Sequence, residues 1–380
     1  MSDHKVRLLS FAAIMGAAAW ALIFIRYAGL RPGRQHIEEV GLQSARADPA
    51  DMILVGDIGG TYARLAVISS AAGKAGPVVA EQVFASGTFT GLEALVAAFL
   101  QQQDVKINRA VFAVAGPVVA GRAELTNLGW SVDENTVRES LGVGSVRLLN
   151  DLLATAIAVP HLGTDSSHTL QPGVPEADGA MAVIAPGTGL GEAFLVWDGT
   201  RHHAHPSEGG HADFAPVGSL QIELLEWLEG RFNHVSYERV CSGRGLPNLY
   251  AFLKQRGAAA EEEWLTARLA AADDQTRVIV EAGTNKRSRS PLCAATLDLF
   301  AAILAAEAGN AALRILATGG VYLSGGLVAP LLPLLKQQTF TDVFSRKGRL
   351  AHFLERVPLY VITQPGTALQ GAIQYALSEF

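Results

Sequence analysis

Residues 52–68 have the sequence Met52-Ile-Leu-Val-Gly-Asp-Ile-Gly-Gly-Thr-Tyr-Ala-Arg-Leu-Ala-Val-Ile68, which predicts a strand, a tight turn and a second strand. Paired glycines allow positive φ and a close approach of the backbone to a ligand. The amides of Gly59, Gly60 and Thr61 are therefore candidates for phosphate contacts. A carboxylate would repel a phosphate, so Asp57 predicts a bridging Mg²⁺ that it holds through water. Taken alone, the stretch is equally compatible with an ordinary β-hairpin.

The composition indicates a globular protein whose main partner is not a nucleic acid. The 380 residues allow two domains and a large core. Because the net charge is −6 and no basic stripe occurs, the surface does not favour a polyanion. The two cysteines, Cys241 and Cys293, lack the spacing of a zinc site or a redox pair, which favours a reducing cytosol as the compartment.

The first 51 residues form an extension that does not match the rest of the chain. Residues 8–25 are an uncharged, alanine-rich run at the lower limit for a transmembrane helix. The arginines that follow would keep the remaining chain cytoplasmic, tethered to the inner membrane. A signal peptide fits less well, because Ala45-Arg-Ala47 lies far beyond the apolar run. Two interpretations stay open: a membrane anchor, or an untranslated segment before a true start at Met52.

A second strand–turn–strand pattern occurs later in the chain. Residues 179–185 predict a strand, Gly187-Thr-Gly189 a glycine turn and residues 192–196 the returning strand. Helices and strands alternate after each copy, which predicts a duplicated α/β design with a cleft between its halves. Two glycine turns that face one cleft could hold a triphosphate when the cleft closes. No Walker-type sequence occurs, so a P-loop lysine is not expected.

Seven short motifs occur in order along the chain. They are Asp57-Ile-Gly-Gly-Thr61, Leu125-Thr-Asn127 with Trp130, Asn150-Asp151, Gly187-Thr-Gly-Leu-Gly191, Glu208-Gly-Gly-His211, Ser236-Tyr-Glu238 and Ser242-Gly-Arg-Gly-Leu246. Together they resemble the motifs of the bacterial glucokinase family, within the actin/hexokinase-like ATPase superfamily. The resemblance covers residues 52–380 and implies an ATP-dependent kinase that phosphorylates glucose at the entry to glycolysis.

The resemblance also implies the architecture. It predicts a duplicated actin/hexokinase-like (ribonuclease H-like) α/β fold with two domains and a central cleft. We expect a small domain from residues 52–160 and 365–380, and a large domain from residues 161–364. The helix at residues 367–377 is expected to pack back against the first half. The expected assembly is a cytoplasmic homodimer, although the motifs themselves do not determine the oligomeric state.

The resemblance places the catalytic base at Asp151. A carboxylate at the end of a strand could accept the proton of a sugar hydroxyl as it attacks the γ-phosphate, although a lone Asp before a helix is more often an N-cap. The implied sugar-binding residues are Asn127, Asn150, Asp151, Glu208, His211 and Glu238. The implied nucleotide-binding residues are Gly56, Asp57, Ile58, Gly59, Gly60, Thr61, Gly187, Thr188, Gly189, Gly319 and Gly320. ATP and Mg²⁺ are the expected cofactors, with Asp57 positioning the metal. A further pair, Gly325-Gly326, is equally explained by close packing.

Four histidines and two carboxylates within residues 202–213 also suggest a metal site. Such clusters can bind zinc. Pro206 and the pair Gly209-Gly210 interrupt any helical face that would hold the ligands in register, so we favour surface positions for the first three histidines. The clustered cysteines with which the related sugar kinase and repressor family binds zinc are absent.

Other functions stay open at this point. A kinase for another hexose, or one that uses polyphosphate, would share the fold. A non-enzymatic sugar sensor or repressor would need a DNA-binding helix-turn-helix, and the first 51 residues offer one apolar run instead. An actin- or chaperone-like ATPase would lack the set of Glu208, His211 and Glu238.

Overall fold

The structure is a computed structural model that describes residues 51–71 and 74–379. The predictions for residues 8–25 lie outside them. The strands are β1 (Asp51–Ile58), β2 (Tyr62–Ala71), β3 (Lys74–Ala85), β4 (Arg109–Val114), β5 (Val118–Val119), β6 (Arg122–Leu125), β7 (Trp130–Asp133), β8 (Ser145–Asn150), β9 (Ser167–Gln171), β10 (Met181–Pro186), β11 (Leu190–Trp197), β12 (His202–Ser207), β13 (Gly320–Leu323) and β14 (Leu359–Ile362). The helices are α1 (Leu92–Leu100), α2 (Glu134–Leu141), α3 (Asp151–Ala158), α4 (Gly218–Glu229), α5 (Leu246–Gln255), α6 (Glu263–Ala270), α7 (Gln275–Thr284), α8 (Pro291–Ile315), α9 (Val328–Leu335), α10 (Gln338–Ser345), α11 (Ala351–Leu354) and α12 (Thr367–Ser378).

The two larger sheets share one strand order and one set of strand directions. The first has the order β3-β2-β1-β4-β8, and the second has β12-β11-β10-β13-β14 followed by β9. In each, the central strand pairs antiparallel with the strand that follows its glycine turn and parallel with the next strand of the sheet. The repeated sequence pattern therefore corresponds to a repeated sheet topology. A third, smaller sheet has the order β5-β6-β7.

Both faces of the first sheet are covered, which explains the continuous apolar run in β1. Leu54 packs into a core cluster with residues of α1 and α2, whereas Ile53 and Val55 belong to a cluster on the other face. A strand that is buried on both faces needs apolar residues at successive positions rather than at alternate ones. The second cluster is completed by Leu369 and Ala372 of α12, which packs beside α3. The C-terminal helix thus returns to the first sheet, as the resemblance implied.

The contact between α12 and α3 depends on a glycine. A Cβ atom placed on Gly371 would lie 1.7 Å from the carbonyl oxygen of Ala154, so only glycine allows this approach. We expect Gly371→Ala to lower the free energy of unfolding by about 2–4 kcal/mol, because the two helices must separate or shift. Urea denaturation measures the change. Gly87→Ala is the control, since its Cβ would meet nothing within 4 Å; equal losses in both variants would contradict this packing.

The longest helix, α8, is the core of the second half. Its 25 residues are apolar enough to cross a membrane by length and composition, but 83% of its most apolar window is buried inside the protein. Sheet residues such as Ile184 and Val321 pack in the same cluster as Leu304 and Ala308 of this helix. Within the described residues, this one membrane-length helix is therefore a core helix.

Candidate active site

Two carboxylates meet at the carboxyl edge of the first sheet. Asp57 lies near the end of β1, and Asn150 and Asp151 stand where β8 ends and α3 begins. Because β1, β4 and β8 are parallel neighbours, their carboxyl ends share one edge. Burial and then the negative charge of Asp151 raise the pKa of Asp57 to about 6, while Arg64 opposes the rise. The structure brings the predicted base and the predicted metal-positioning carboxylate together.

Asn150, and not Asp151, is the N-cap of α3. Its Oδ1 accepts hydrogen bonds from the amides of Leu152 (3.0 Å) and Leu153 (3.2 Å), and its Nδ2 donates to the carbonyl oxygen of Gly116 (3.0 Å) and to Oδ1 of Asp151 (3.1 Å). The Leu152 amide also donates to Asp151 Oδ1, at 2.8 Å. Among the described residues, none other than Asp151 itself donates a hydrogen bond to Oδ2 of Asp151. The cap fixes one carboxylate oxygen and leaves the other available for a proton.

Burial gives this carboxylate the character of a base. It raises the pKa of the Asp151 carboxyl above its usual value, and the hydrogen bonds from Leu152 and Asn150 only partly offset the rise. A raised pKa strengthens a general base, provided that the group is still ionised at the working pH.

The first glycine turn is held by Ser86. The Ser86 hydroxyl donates to the carbonyl oxygen of Gly59 (2.7 Å), and its amide donates to the carbonyl oxygen of Thr61 (3.0 Å). A Cβ on Gly60 would lie 3.3 Å from Cβ of Asn127, so the predicted sugar residue Asn127 packs on this turn. Ser86 belongs to no motif, so the sequence does not predict its place in the site.

Some of the residues predicted to contact the nucleotide at the first glycine turn point into the protein or are already hydrogen-bonded within it. The Gly59 amide donates to the carbonyl oxygen of Tyr62 (3.0 Å), which closes the hairpin. Ile58 is fully buried, and a Cβ on Gly56 would lie 2.7 Å from the Phe112 ring. Gly56 and Ile58 therefore shape the turn from the core side. The amides of Gly60 and Thr61 accordingly stay the better candidates for phosphate contacts.

The second glycine turn is held by the segment that follows Glu238. The amide of Gly243 donates to the carbonyl oxygen of Gly187 (2.8 Å), and the amide of Arg244 donates to that of Thr188 (3.1 Å). The motif at residues 242–246 carries no predicted role of its own. Its role here is to fix the turn.

Glu238 lies directly against this turn. Its Oε2 accepts a hydrogen bond from the amide of Leu190 (3.0 Å), and a Cβ on Gly189 would lie 2.3 Å from the same oxygen. On the other side, a Cβ on Gly191 would lie 2.7 Å from Cδ2 of Leu152, the residue after Asp151. The second glycine turn therefore lies between Glu238 and the helix that carries Asp151.

Glu208 and His211 lie on a neighbouring segment. Glu208 precedes a short 3-10 helix, Gly209–His211, of which His211 is the last residue, and the His211 Nε2 lies 3.8 Å from Oε2 of Glu208. A Cβ on Gly210 would lie 2.1 Å from the carbonyl oxygen of Leu190, so this segment and Glu238 converge on one residue of β11. Both side chains are exposed, to 81% for Glu208 and 59% for His211, and can reach a ligand without breaking an internal contact.

Gly319 and Gly320 lie far from the second glycine turn. Gly320 opens β13 and pairs with Met181 at the start of β10, whereas the second glycine turn follows the end of β10. At about 3.3 Å per residue, Gly320 and the second glycine turn are separated by roughly 15–20 Å. Gly319 is buried against the backbone of Gly179. The structure therefore does not bring Gly319 and Gly320 to the second glycine turn.

The other glycine pair, Gly325-Gly326, lies at the end of β10 that the second glycine turn follows. Gly325 has a φ of +95°, and its Cβ would lie 2.7 Å from the carbonyl oxygen of Pro186, the residue before the second turn. The Leu327 amide donates to that same oxygen at 3.2 Å. Gly325-Gly326, and not Gly319-Gly320, therefore lies beside the second glycine turn.

The histidines of residues 202–205 have structural contacts. The Nε2 atom of His202 is 2.9 Å from the carbonyl oxygen of Gly179, and that of His203 is 2.7 Å from Oδ2 of Asp198. His205 stacks on Phe194. His205 is exposed, whereas His202 and His203 are half-buried, so only His205 fully has the surface position that the sequence favoured.

The fold and site together define a class. Two like sheets, each with a glycine turn at the carboxyl end of its central strand, are the arrangement of the actin/hexokinase-like sugar kinases. A solved glucokinase from an Antarctic psychrotroph has the same fold, with a TM-score of 0.73 and 32% identity over 87% of this chain and 99% of that one. A glucokinase of Balamuthia mandrillaris, solved with glucose, shares the fold at 20% identity and a TM-score of 0.70, covering 88% of this chain and 96% of that one.

Sequence comparison specifies the family within that class. The family model described as Glucokinase matches residues 54–379. The glucokinase of Nostoc punctiforme is 36% identical over 334 residues, which are 84% of this chain and 97% of the relative. The chain belongs to the glucokinase family.

Proposed function

We propose that this member of the glucokinase family transfers the γ-phosphoryl group of ATP to the 6-hydroxyl of glucose, with Asp151 as the general base. The observation that carries the proposal is the asymmetric Asp151 carboxylate at the edge of the first sheet. Its Oδ1 is held by Asn150 and Leu152, and no other described residue donates to its Oδ2. ATP-dependent phosphorylation of glucose is the activity of the family.

The chemistry follows from this geometry. The Asp151 carboxylate accepts the proton of the sugar hydroxyl while the hydroxyl oxygen forms a bond to the γ-phosphorus. The bond from that phosphorus to the bridging oxygen breaks, and ADP leaves with the electron pair. Asn150 contributes by orienting Asp151, since both N–H groups of its amide already have acceptors. Direct contact of Asn150 with the sugar stays a prediction.

The two glycine turns would bind the phosphates. The amides of Gly60 and Thr61 supply donors on one side, and residues Gly187, Thr188 and Gly189 form the turn on the other. Tight positioning by fixed backbone dipoles is the main contribution that a protein makes to phosphoryl transfer.

The residues present fit a Mg²⁺ ion near Asp57. The Asp57 carboxyl is largely buried and is repelled by Asp151, and a cation would relieve both penalties. Carboxylate and water oxygens are the ligands that Mg²⁺ prefers. Asp57 would hold the ion through water, and a bound ion supplies neutralisation of the phosphate charge.

We infer further that the two sheets are the centres of two domains with a cleft between them. Residues 52–160 with 365–380 would form the small domain, and residues 161–364 the large one. The equal strand order of the two sheets and the return of α12 to the first sheet support this division. A cytoplasmic homodimer stays a prediction.

Glu208, His211 and Glu238, with Asn127, would bind the sugar hydroxyls. We expect Glu208→Gln to raise KM for glucose by roughly 10- to 100-fold, since the charge is removed and one acceptor oxygen becomes an N–H donor that cannot accept from a sugar hydroxyl. Because the Glu208 side chain is mostly exposed, the melting temperature should change by less than about 1 °C. Glu355→Gln, at another exposed glutamate, is the control. An unchanged KM would remove Glu208 from the site.

A substrate panel tests the proposed function. Initial rates are measured with ATP and glucose, mannose, fructose or N-acetylglucosamine, and then with polyphosphate as donor. A kcat/KM that is highest for glucose with ATP is the expected result. A preference for another hexose or donor would identify a different kinase on the same fold, and no transfer to any sugar would contradict the proposal.

A further inference from the structure

A buried polar network lies beneath the proposed sugar-binding segments. Glu307 of α8 is fully buried, and its Oε1 accepts a hydrogen bond from Nη1 of Arg314 at 2.5 Å. Its Oε2 accepts from Nδ2 of Asn310 at 2.9 Å, and the same Nδ2 donates to the Tyr237 hydroxyl at 2.8 Å. Tyr237 directly precedes Glu238. The network therefore reaches one of the proposed sugar ligands through its chain neighbour.

Glu192 joins this network to the other sugar-binding segment. It lies on β11 and is only 6% exposed. Its Oε2 is 3.6 Å from Nη1 of Arg314 and would lie 2.1 Å from a Cβ on Gly209, so the carboxyl packs directly on the glycine after Glu208. Its Oε1 is buried without a hydrogen-bond partner in the described part of the chain. A buried carboxyl oxygen without a partner is costly and calls for a functional reason.

The protonation state of Glu192 depends on its buried neighbours. Burial and then the charge of Glu307 raise the pKa of Glu192 well above its usual range, and Arg314 opposes the rise. A neutral Glu192 can donate a hydrogen bond to Glu307, whereas an ionised one faces a like charge. A cavity of about 320 Å³ lined by Glu192, Gly209 and Arg314 leaves room for the ionised carboxyl to move. The titratable or charged groups around Glu192 are Glu307, Arg314, Tyr237, Cys241 and, through Asn310, Lys347.

We propose that Glu192 is a positioning residue whose neutral carboxyl packs against Gly209 and so holds residues 208–211 in place. Sugar affinity, and not the chemical step, then depends on the protonation of Glu192. The inference rests on the proposed function, because it takes Glu208, His211 and Glu238 to contact the sugar. When Glu192 ionises, repulsion from Glu307 moves its carboxyl away from Gly209. Residues 208–211 then lose the contact that holds them in place.

The test compares Glu192→Gln and Glu192→Ala with the wild-type protein. Glutamine has the shape of the neutral acid and can donate to Glu307, so KM for glucose should stay low at all pH values. In the wild type, KM should rise roughly 3- to 10-fold between about pH 6 and about pH 8.5. Glu192→Ala should show the raised KM throughout. The kcat profile, which depends on Asp151, should be the same in the wild type and in Glu192→Gln.

Controls separate the possible outcomes. Glu229→Gln, at an exposed glutamate of α4, should keep the wild-type pH dependence of KM. Glucose binding measured by calorimetry, without ATP, should follow the same pattern as KM. If Glu192→Gln retains the rise of KM with pH, the inference is wrong while the proposed function stands. If the wild type does not phosphorylate glucose, the proposed function is wrong and the inference is overturned with it.

Discussion

Asp151→Asn should lower kcat by roughly 10²- to 10⁴-fold while glucose and ATP still bind with nearly normal affinity. Asparagine has the shape of aspartate, and its Oδ1 can still accept the hydrogen bonds from Asn150 and Leu152 that fix this side chain. What it lacks is a second oxygen that can take a proton. The loss should therefore appear in the chemical step alone, and steady-state kinetics together with calorimetric binding of glucose separates the two quantities.

The pH dependence of the wild type supplies an independent check on Asp151. A general base works only when ionised, and burial raises the pKa of this carboxyl. The kcat should thus begin to fall, as the pH is lowered, at a higher pH than for an ordinary aspartate. Asp165→Asn, at an exposed aspartate beyond the same helix, should keep both kcat and its profile. Near-normal turnover in the Asp151 variant would show that another residue is the base.

The sequence predicted the parts of the fold that depend on local patterns. The apolar runs around residues 53–55 and 179–185 became the central strands of two sheets, because a strand buried on both faces must be apolar throughout. The glycine pairs after them became turns because the chain reverses there. The strand order of the sheets, in contrast, depends on contacts between distant segments, and neither the periodicity nor the motifs specified it.

For the candidate site, the sequence indicates a position only where a motif marks it, and it gives no signal for a residue that joins the site through a contact between distant segments. The motif predicted a base at Asp151 although a lone Asp before a helix is more often a cap, and in the structure Asn150 takes the cap role with two hydrogen bonds. The pairs Gly319-Gly320 and Gly325-Gly326 both flank β13 and look alike in sequence, so only the register with β10 distinguishes them. Ser86 could not be found, since a single serine in a turn has no distinguishing pattern.

Asp57→Asn should increase stability and decrease activity. Burial and the Asp151 charge raise the pKa of Asp57 from 3.8 to about 6, so the folded state binds this proton more tightly than the unfolded state. That contribution to stability is fully present below pH 3.8 and is lost as the pH rises through 6. A rise of about two in pKa corresponds to an upper limit of about 3 kcal/mol at pH 8. Urea denaturation without ATP and Mg²⁺ should show the variant to be more stable at pH 8 and little changed near pH 4.

The same substitution should reduce turnover by roughly 10²- to 10³-fold, because the proposed site loses the carboxylate that would hold Mg²⁺ near the phosphates. The Mg²⁺ concentration needed for half-maximal rate should also rise. Asp104→Asn, at an exposed aspartate after α1, should change neither stability nor rate. A variant that gained stability at pH 8 and kept full activity would show that the buried charge is real but that Asp57 has no part in catalysis. A variant that lost activity with no gain in stability would instead show that Asp57 is not held against Asp151 in the free protein. Burial of the ionised Asp57 carboxylate beside Asp151 lowers the stability of the folded protein. The two measurements together determine whether catalysis is the reason that this residue is there.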